Sequence, residues 1–478
     1  MEKDRMTWRE KIMFAAGDIF GGGGQSILSV LYLIFLTNVL HIDPVWAGAV
    51  VMISKAWDAV SDPLMGVLSD NTRTKMGRRR PYLLAGGFLI MVSMALLWLP
   101  VGFASQAGKI AFVTVAYLLY STVSTVIAVP YSSMSTEVTA DFHERNKVNV
   151  LRLVFSLVAT AVCTLLPTLL FDAYQAGELS LRSFYLILVL GFGTVFAVPL
   201  ILIGLWGKER VAYEDKRSAV SVETFVKPFR IRAFRKLLGL YLCQAVTLDM
   251  VSAVILYYST YVVIGMSSTV FLGTFLGVQL LLFPAVYFLV RRVSKTKIYR
   301  FGLPLSMIGA CLIAFYPASL PAFGVYVCAL LTALGFAGAQ TMSWIIFPDV
   351  VDIGEMGLGE RNTGSFSGVM TFVRKISSAI AIFVIGNVLS LTGYIAPTEV
   401  GVQPVQPASA ILGIRLFVFL PFVLLMGYAW FLARGFRLTP EVSGRVKYFN
   451  EKLHDGELDA LSGTERAEYE QLRKEFVS

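Results

Sequence analysis

Apolar stretches long enough to cross a bilayer recur from one end of this chain to the other, and no other feature limits the fold as much. A helix needs about 20 mostly apolar residues to span the hydrocarbon. About twelve such stretches can be read by that measure, near residues 12–40, 46–69, 82–103, 110–129, 148–171, 182–206, 237–264, 268–290, 299–319, 323–347, 365–392 and 408–433. Composition agrees: 56% of the 478 residues are hydrophobic and only 15% charged, against roughly 25% charged in soluble domains. Backbone polar groups in lipid must be satisfied within the segment. The expected fold class is therefore an all-α membrane protein with twelve transmembrane helices.

The net charge of +9 sits in alternate loops, which sets orientation instead of marking a nucleic-acid surface. Basic residues gather at Lys3–Lys11, Arg73–Arg80, Arg145 and Lys147, Lys208–Lys236, Arg291–Arg300, Arg361 and the tail. Lys109 and Arg182 are the exceptions in the other loops. By the positive-inside rule both termini are expected in the cytoplasm, with the chain in the inner membrane. The first apolar segment is too long for a signal-peptide core. Cys163, Cys243, Cys311 and Cys328 lie in separate apolar segments without metal spacing, so they read as small buried hydrophobes.

The charged connection after the sixth stretch divides the chain into two six-helix halves. The expected organisation is an N-terminal bundle over 1–206, a cytoplasmic loop over 207–236, a C-terminal bundle over 237–433 and a cytoplasmic tail over 434–478. Weak echoes relate the halves: Glu144-Arg145-Asn146 against Glu360-Arg361-Asn362, and Asp62-Pro63 against Phe283-Pro284. Internal repeats of this kind are a transporter architecture. The tail is polar, with a helix-like run Ser462–Phe476, and no part in the chemistry is expected of it.

Chemistry concentrates in the second stretch, where Lys55, Asp58 and Asp62 interrupt an otherwise apolar run. At i, i+3 and i+7 on a helix they share one face. Ionisable groups inside a membrane cost several kcal/mol and mark ion or substrate pathways by default. Asp58 and Asp62, with Ser61 and Thr125 adding neutral oxygens, form a candidate cation site, and Lys55 is placed to fill it when the cation is absent. The plainer reading makes Lys55 and Asp58 a buried pair and Asp62 a helix-end cap. The next element, Gly66 to Pro81, carries Asp70, Arg73, Arg78, Arg79 and Arg80 in a tight loop. It is suited to charge pairs that open and close between helix ends.

The string Trp57-Asp-Ala-Val-Ser-Asp62-Pro63-Leu-Met-Gly66, with Thr72-Arg73 and Gly77-Arg-Arg-Arg-Pro81-Tyr82, resembles the glycoside–pentoside–hexuronide:cation symporters of the major facilitator superfamily. The resemblance continues at Val129–Ser132, Glu144-Arg145, Arg152, Asp349–Glu355, Arg374-Lys375 and Leu391–Tyr394, over nearly the whole chain except the tail. It implies the major facilitator fold and symport of a sugar or glycoside with Na⁺ or H⁺. Asp58, Asp62, Ser61 and Thr125 would bind the cation. Arg152 and Lys375 would flank the substrate, Arg152 by paired hydrogen bonds and Lys375 as a point charge. Their other reading is pairing with acids such as Asp58 or Asp18. Melibiose permease, a member, has an aspartate where this chain has Ala128. Its specificity does not carry over, and Na⁺ and H⁺ both stay open.

Further candidates for the substrate pocket are Asp18, Gln25, Tyr131, Asp249, Gln340, Trp344 and Thr371, types that hold sugars through amides, charges and aromatic faces. A gating set is expected from Asp70, Arg78, Arg145, Asp352, Glu355 and Arg361. The partners implied are a small-molecule substrate and the bilayer, with no nucleic acid, no cofactor beyond the coupling ion, no metal beyond Na⁺, and a monomeric carrier. Two other functions fit the same residues: symport of a lysophospholipid-like amphiphile, and a non-transporting membrane sensor. An enzyme is not expected, because His41, His143 and His454 are scattered and no nucleophile–base pair is evident.

Overall fold

A computed structural model of the chain describes residues 6–135, 137–139, 141–210, 226–290, 295–317, 319–359, 363–397, 403–436, 438–455, 457 and 461–477. The described residues are helical, in the order α1 (Trp8–Ala16), α2 (Asp18–Ile27), α3 (Pro44–Asn71), α4 (Arg80–Leu97), α5 (Gln106–Met134), α6 (Phe142–Gln175), α7 (Leu181–Leu186) and α8 (Gly193–Trp206). Then come α9 (Arg232–Tyr261), α10 (Ser268–Val290), α11 (Lys295–Ala314), α12 (Phe323–Leu358), α13 (Thr363–Leu391), α14 (Ala408–Leu420) and α15 (Met426–Arg434). Two tail helices follow, α16 (Pro440–His454) and α17 (Gly463–Phe476).

Seven of the described helical segments are long and apolar enough to cross a membrane by hydropathy alone, among them Gln106–Met134 and Arg232–Tyr261. The first two spans are absent from that set for physical reasons. Lys55, Asp58 and Asp62 depress the mean hydropathy of α3, and π-helical turns at Leu28–Tyr32 and Phe35–Val39 divide the span that α2 begins. π-helical turns inside helices frequently mark functional sites. α3 starts on Asp43, which accepts from the Val45 amide at 2.9 Å, with Pro44 at the first helical position. Both are favoured helix-start choices.

The chain forms two compact units, each built from separate stretches of sequence. The first contains residues 1–220, 252–273 and 379–414; the second contains 221–251, 274–378 and 415–478. In the first unit, α2 lies against α6 with almost no space between backbones. A Cβ on Gly22 would meet the Ser156 carbonyl at 2.3 Å, and one on Gly23 the Cys163 sulfur at 2.7 Å. Small residues let membrane helices approach this closely. α3 crosses α13 in the same manner: a Cβ on Gly386 would meet the Pro44 carbonyl at 2.2 Å, and one on Gly48 would meet Phe383 Cα at 3.1 Å.

The same unit gathers hydroxyls and amides at the ends of helices away from the basic loops. Thr37 Oγ1 and Tyr257 OH are 2.7 Å apart, Asn38 Nδ2 donates to Tyr261 OH at 3.2 Å, and Tyr394 OH donates to Asn38 Oδ1 at 2.8 Å. Thr168 and Thr269 meet at 2.7 Å, and Ser268 Oγ lies 3.2 Å from both oxygens of Asp172. In the second unit α11 packs along α12, and α16 and α17 dock on the far end of α12.

Candidate cation and substrate sites

The three ionisable residues of α3 are brought to one face, as their spacing requires, and that face meets α5. Lys55, Asp58 and Ser61 are buried, and Asp62 is half-buried. Ser121 Oγ donates to Asp58 Oδ1 at 2.5 Å and Thr125 Oγ1 donates to Asp62 Oδ1 at 2.8 Å. Ser61 Oγ and Thr125 Oγ1 lie 3.2 Å apart. Two carboxylates and three hydroxyls therefore converge between the two helices, a set of hard oxygens of the kind an alkali cation requires, and one that also allows a carboxyl to carry a proton. Sequence reasoning overlooked Ser121. Its signal is its position, one turn before Thr125 on the same face of α5.

Lys55 faces the first span. Its ammonium donates to Gln25 Oε1 at 2.7 Å, and Gln25 Nε2 donates to Ser29 Oγ at 3.2 Å. These three residues line a small cleft with Tyr117, Leu33 and Val51. A polar chain thus leads from the helix carrying both acids to the first span.

Arg152 is held by an acid of its own bundle. Its Nε donates to Asp18 Oδ2 at 2.9 Å, and its guanidinium stacks on the Tyr131 ring at 4.6 Å from the centroid. Tyr131 is itself fixed, donating to the Phe14 carbonyl at 2.7 Å over Gly17, where any side chain would collide with the ring. Of the two readings of Arg152, pairing with Asp18 is the one present in this state.

The second unit holds a matching pair. Arg374 Nη2 donates to Asp249 Oδ1 at 3.3 Å, with Asp249 buried and Lys375 the next residue along α13. Arg374 was not among the substrate candidates, although it stands beside Lys375. Thr371 is exposed and returns its hydroxyl to the Ser367 carbonyl at 3.1 Å. The side chains of Gln340 and Trp344, and all of Arg361, lie outside the described residues.

The expected gate residues Asp70 and Arg78 make a network at the basic end of the first unit. Arg79, 3% exposed, joins Asp70, Ser69 and Glu137, and Arg78 Nη2 donates to Glu137 Oε1 at 2.6 Å. Glu209 accepts from the backbone amides of Arg78, Arg79 and Arg80 at 2.9, 2.9 and 3.1 Å, satisfying the donors at the start of α4. An acid there is also favoured by the helix dipole. Nearby, burial would raise the Glu10 carboxyl, but bonds from the Thr7 amide, Lys208 and Arg210 outweigh it and hold it down at about 2. The bonds from Lys11 and Lys147 likewise lower Glu144. Arg145 is half-buried on the first turn of α6. In the second unit the Asp352 carbonyl accepts from Asn450 Nδ2 at 2.8 Å, and Glu355 Oε1 lies 2.7 Å from His454 Nε2. The tail therefore contacts two of the expected gate residues.

Among the described residues no group of three or more His, Cys, Asp or Glu side chains is placed to hold a metal ion. Residues 13–440 match the family model described as MFS/sugar transport protein. An uncharacterized symporter of Synechocystis is 27% identical, the match covering 89% of this chain and 94% of that one. A putative glycoside/cation symporter of Escherichia coli is also 27% identical, covering 88% and 90% respectively. The solved structure of a bacterial homologue of the human drug peptide transporters shares the fold, with a TM-score of 0.62 at 12% identity over 90% of this chain and 98% of its own. The all-α architecture is thus the twelve-span facilitator fold, and the chain belongs to the MFS/sugar transport family of multi-pass membrane transporters, which are not enzymes.

Proposed function

We propose that the protein is a cation-coupled symporter of a sugar or glycoside, with Na⁺ or H⁺ bound between α3 and α5. The observation that carries this reading is the pairing of Asp58 with Ser121 and of Asp62 with Thr125 inside the membrane-spanning bundle. Two acids one turn apart repel each other when both are ionised, and a cation between them removes that cost. Cation binding then favours the substrate-competent state, and by reciprocal linkage substrate tightens the cation. Arg152, Lys375, Asp18, Gln25 and Asp249 remain the substrate candidates, since charged groups and amides are the side chains that hold sugar hydroxyls.

The hydroxyl–amide cluster of Thr37, Asn38, Tyr257, Tyr261 and Tyr394 is what a closed outer gate requires, with the basic loops on the cytoplasmic side of the inner membrane. Alternating access would open that cluster and close the opposite end around the same site. An amphiphile would need a lateral apolar cleft, and the neutralised acids and bases described above favour a polar cargo.

The test is solute uptake by reconstituted vesicles under imposed Na⁺ and H⁺ gradients, over a panel of glycosides and hexuronates. Gradient-driven accumulation should vanish in Asp58→Asn and in Asp62→Asn while the folded protein is retained. Accumulation that persists in both variants would remove the site assignment.

A further inference from the structure

Within the first unit, at the end away from the basic loops, lies a cavity of about 340 Å³ whose lining shares no residue with the cation and substrate candidates. Its polar wall comes from the last turns of α6 and α9, with Asp172 and Gln175 on the one and Ser259 and Thr260 on the other. Gln403, in the segment before α14, adds a second carboxamide. Ser268, at the start of α10, donates to both oxygens of Asp172 at 3.2 Å, and Thr260 Oγ1 donates to Gln175 Oε1 at 3.3 Å. Among the described residues no basic side chain pairs with Asp172. Opposite this wall, Ile264 and Met266 of the α9–α10 connection supply apolar surface.

A half-buried carboxylate with no basic partner, beside two carboxamides, suits a ligand rich in hydroxyl donors. Neighbouring hydroxyls can each donate to a carboxylate oxygen as charge-assisted bonds, the stronger kind, and each amide both donates and accepts. The apolar wall can take the C–H face of a ring, and the volume is that of a small-ligand pocket. One carboxylate is too few for a divalent cation, and it repels an anion. We propose that this cavity is a second, outer solute site, which takes one neutral ring sugar through adjacent hydroxyls at Asp172. The solute class rests on the sugar-carrier reading above; the cavity itself does not. α6 belongs to the first six spans and α9 and α10 to the last six, so the site exists only while their outer ends are together. A sugar bound there favours that arrangement. External sugar thereby holds the carrier closed on its outer side without entering the spans.

The experiment uses the full chain carrying Ala176→Cys, an exposed lining position, in right-side-out membrane vesicles. Its reaction with a membrane-impermeant maleimide is followed over time. The four native cysteines lie within helices of the bundle, and the chain without Ala176→Cys gives their background. The probes are glucose, galactose and their methyl glycosides, with tetraethylene glycol as an ether that lacks paired hydroxyls. At least one sugar should slow labelling at least about threefold when in excess over its dissociation constant, and the ether should not. Asp172→Asn should raise the half-protecting concentration about tenfold, the worth of one charge-assisted hydrogen bond. Gln175→Ala, at the end of α6, should raise it severalfold, and Asp58→Asn should leave it unchanged. Protection lost in Asp58→Asn, or retained in full in either Asp172→Asn or Gln175→Ala, would assign the effect to closure around the central site and overturn the proposal. Equal protection by the ether, or none by any sugar, would overturn it as well. None of these results bears on gradient-driven uptake, which tests symport separately.

Discussion

Asp58 and Asp62 differ in what holds them, and the difference lies in two hydroxyls on α5. Ser121 donates to Asp58 and also reaches the Ser54 carbonyl at 3.2 Å, so it ties the acid to the backbone of α3 one turn earlier. Removing it takes one hydrogen-bond donor away from the buried Asp58 side chain. Ser121→Ala is expected to weaken apparent cation affinity roughly three- to tenfold, the worth of one ordinary hydrogen bond, with the maximal rate retained. Ser121→Thr should restore the affinity. The cation dependence of uptake measures this, and an unchanged affinity in Ser121→Ala would remove Ser121 from the site. Periodicity placed Lys55, Asp58 and Asp62 on one face because a helix fixes that geometry locally. The donors opposite them were harder to read, because serines and threonines are frequent in spans and only the packing of α5 on α3 selects two of them. Arg152 shows the same limit. Its charge is plain in the sequence, but whether it faces cargo or Asp18 depends on how α2 and α6 pack.

That packing is set at the scale of the element by glycines. The run Gly21–Gly24, with Asp18, reads in the sequence as a polar start to the first span. In the folded unit it is the flat surface of α2, with Gly22 against the Ser156 backbone and Gly23 against Cys163. A backbone carbonyl cannot move aside as a flexible side chain can, so a residue larger than glycine at 22 must push the helices apart. Gly22→Leu is expected to cost about 1–3 kcal/mol, the usual penalty for overpacking, and to separate Asp18 from Arg152. Thermal unfolding in detergent measures it, and a wild-type transition would show that α2 and α6 do not touch as described. Apolar spans such as α5 and α9 were readable from hydropathy because lipid selects composition directly. α3 and the π-interrupted first span escape the same measure, the one because Lys55, Asp58 and Asp62 lower its hydropathy and the other because π-helical turns divide it.

For the whole molecule, the tail is the least anticipated feature, since its composition suggested only an appendage. α16 buries Val446, Phe449 and Asn450, and α17 buries Leu472 and Phe476. Arg445 and Glu468 pair across the two helices at 2.8 Å, and the Arg232 amide donates to the Val477 carbonyl at 3.2 Å. The hairpin is thereby part of the second unit and grips α12 where Asp352 and Glu355 lie. Phe449→Ala should destabilise that unit by about 3–5 kcal/mol, as for other buried aromatics, and loosen the His454–Glu355 contact. Hydrogen exchange at the last turns of α12 should rise in this variant; unaltered protection there would show that the hairpin is not coupled to α12.

The crossing of α3 and α13 has a different kind of consequence. Gly48 and Gly386 are more than three hundred positions apart in the chain, yet a Cβ on Gly386 would collide with the Pro44 carbonyl and one on Gly48 would press on the Phe383 backbone. A wedge at either position need not unfold the carrier. It taxes only the arrangement in which the two backbones touch, so its effect is felt as a change in how long the carrier dwells in that arrangement. A pair of glycines with no polar group to offer a substrate can in this way set the tempo of the cycle.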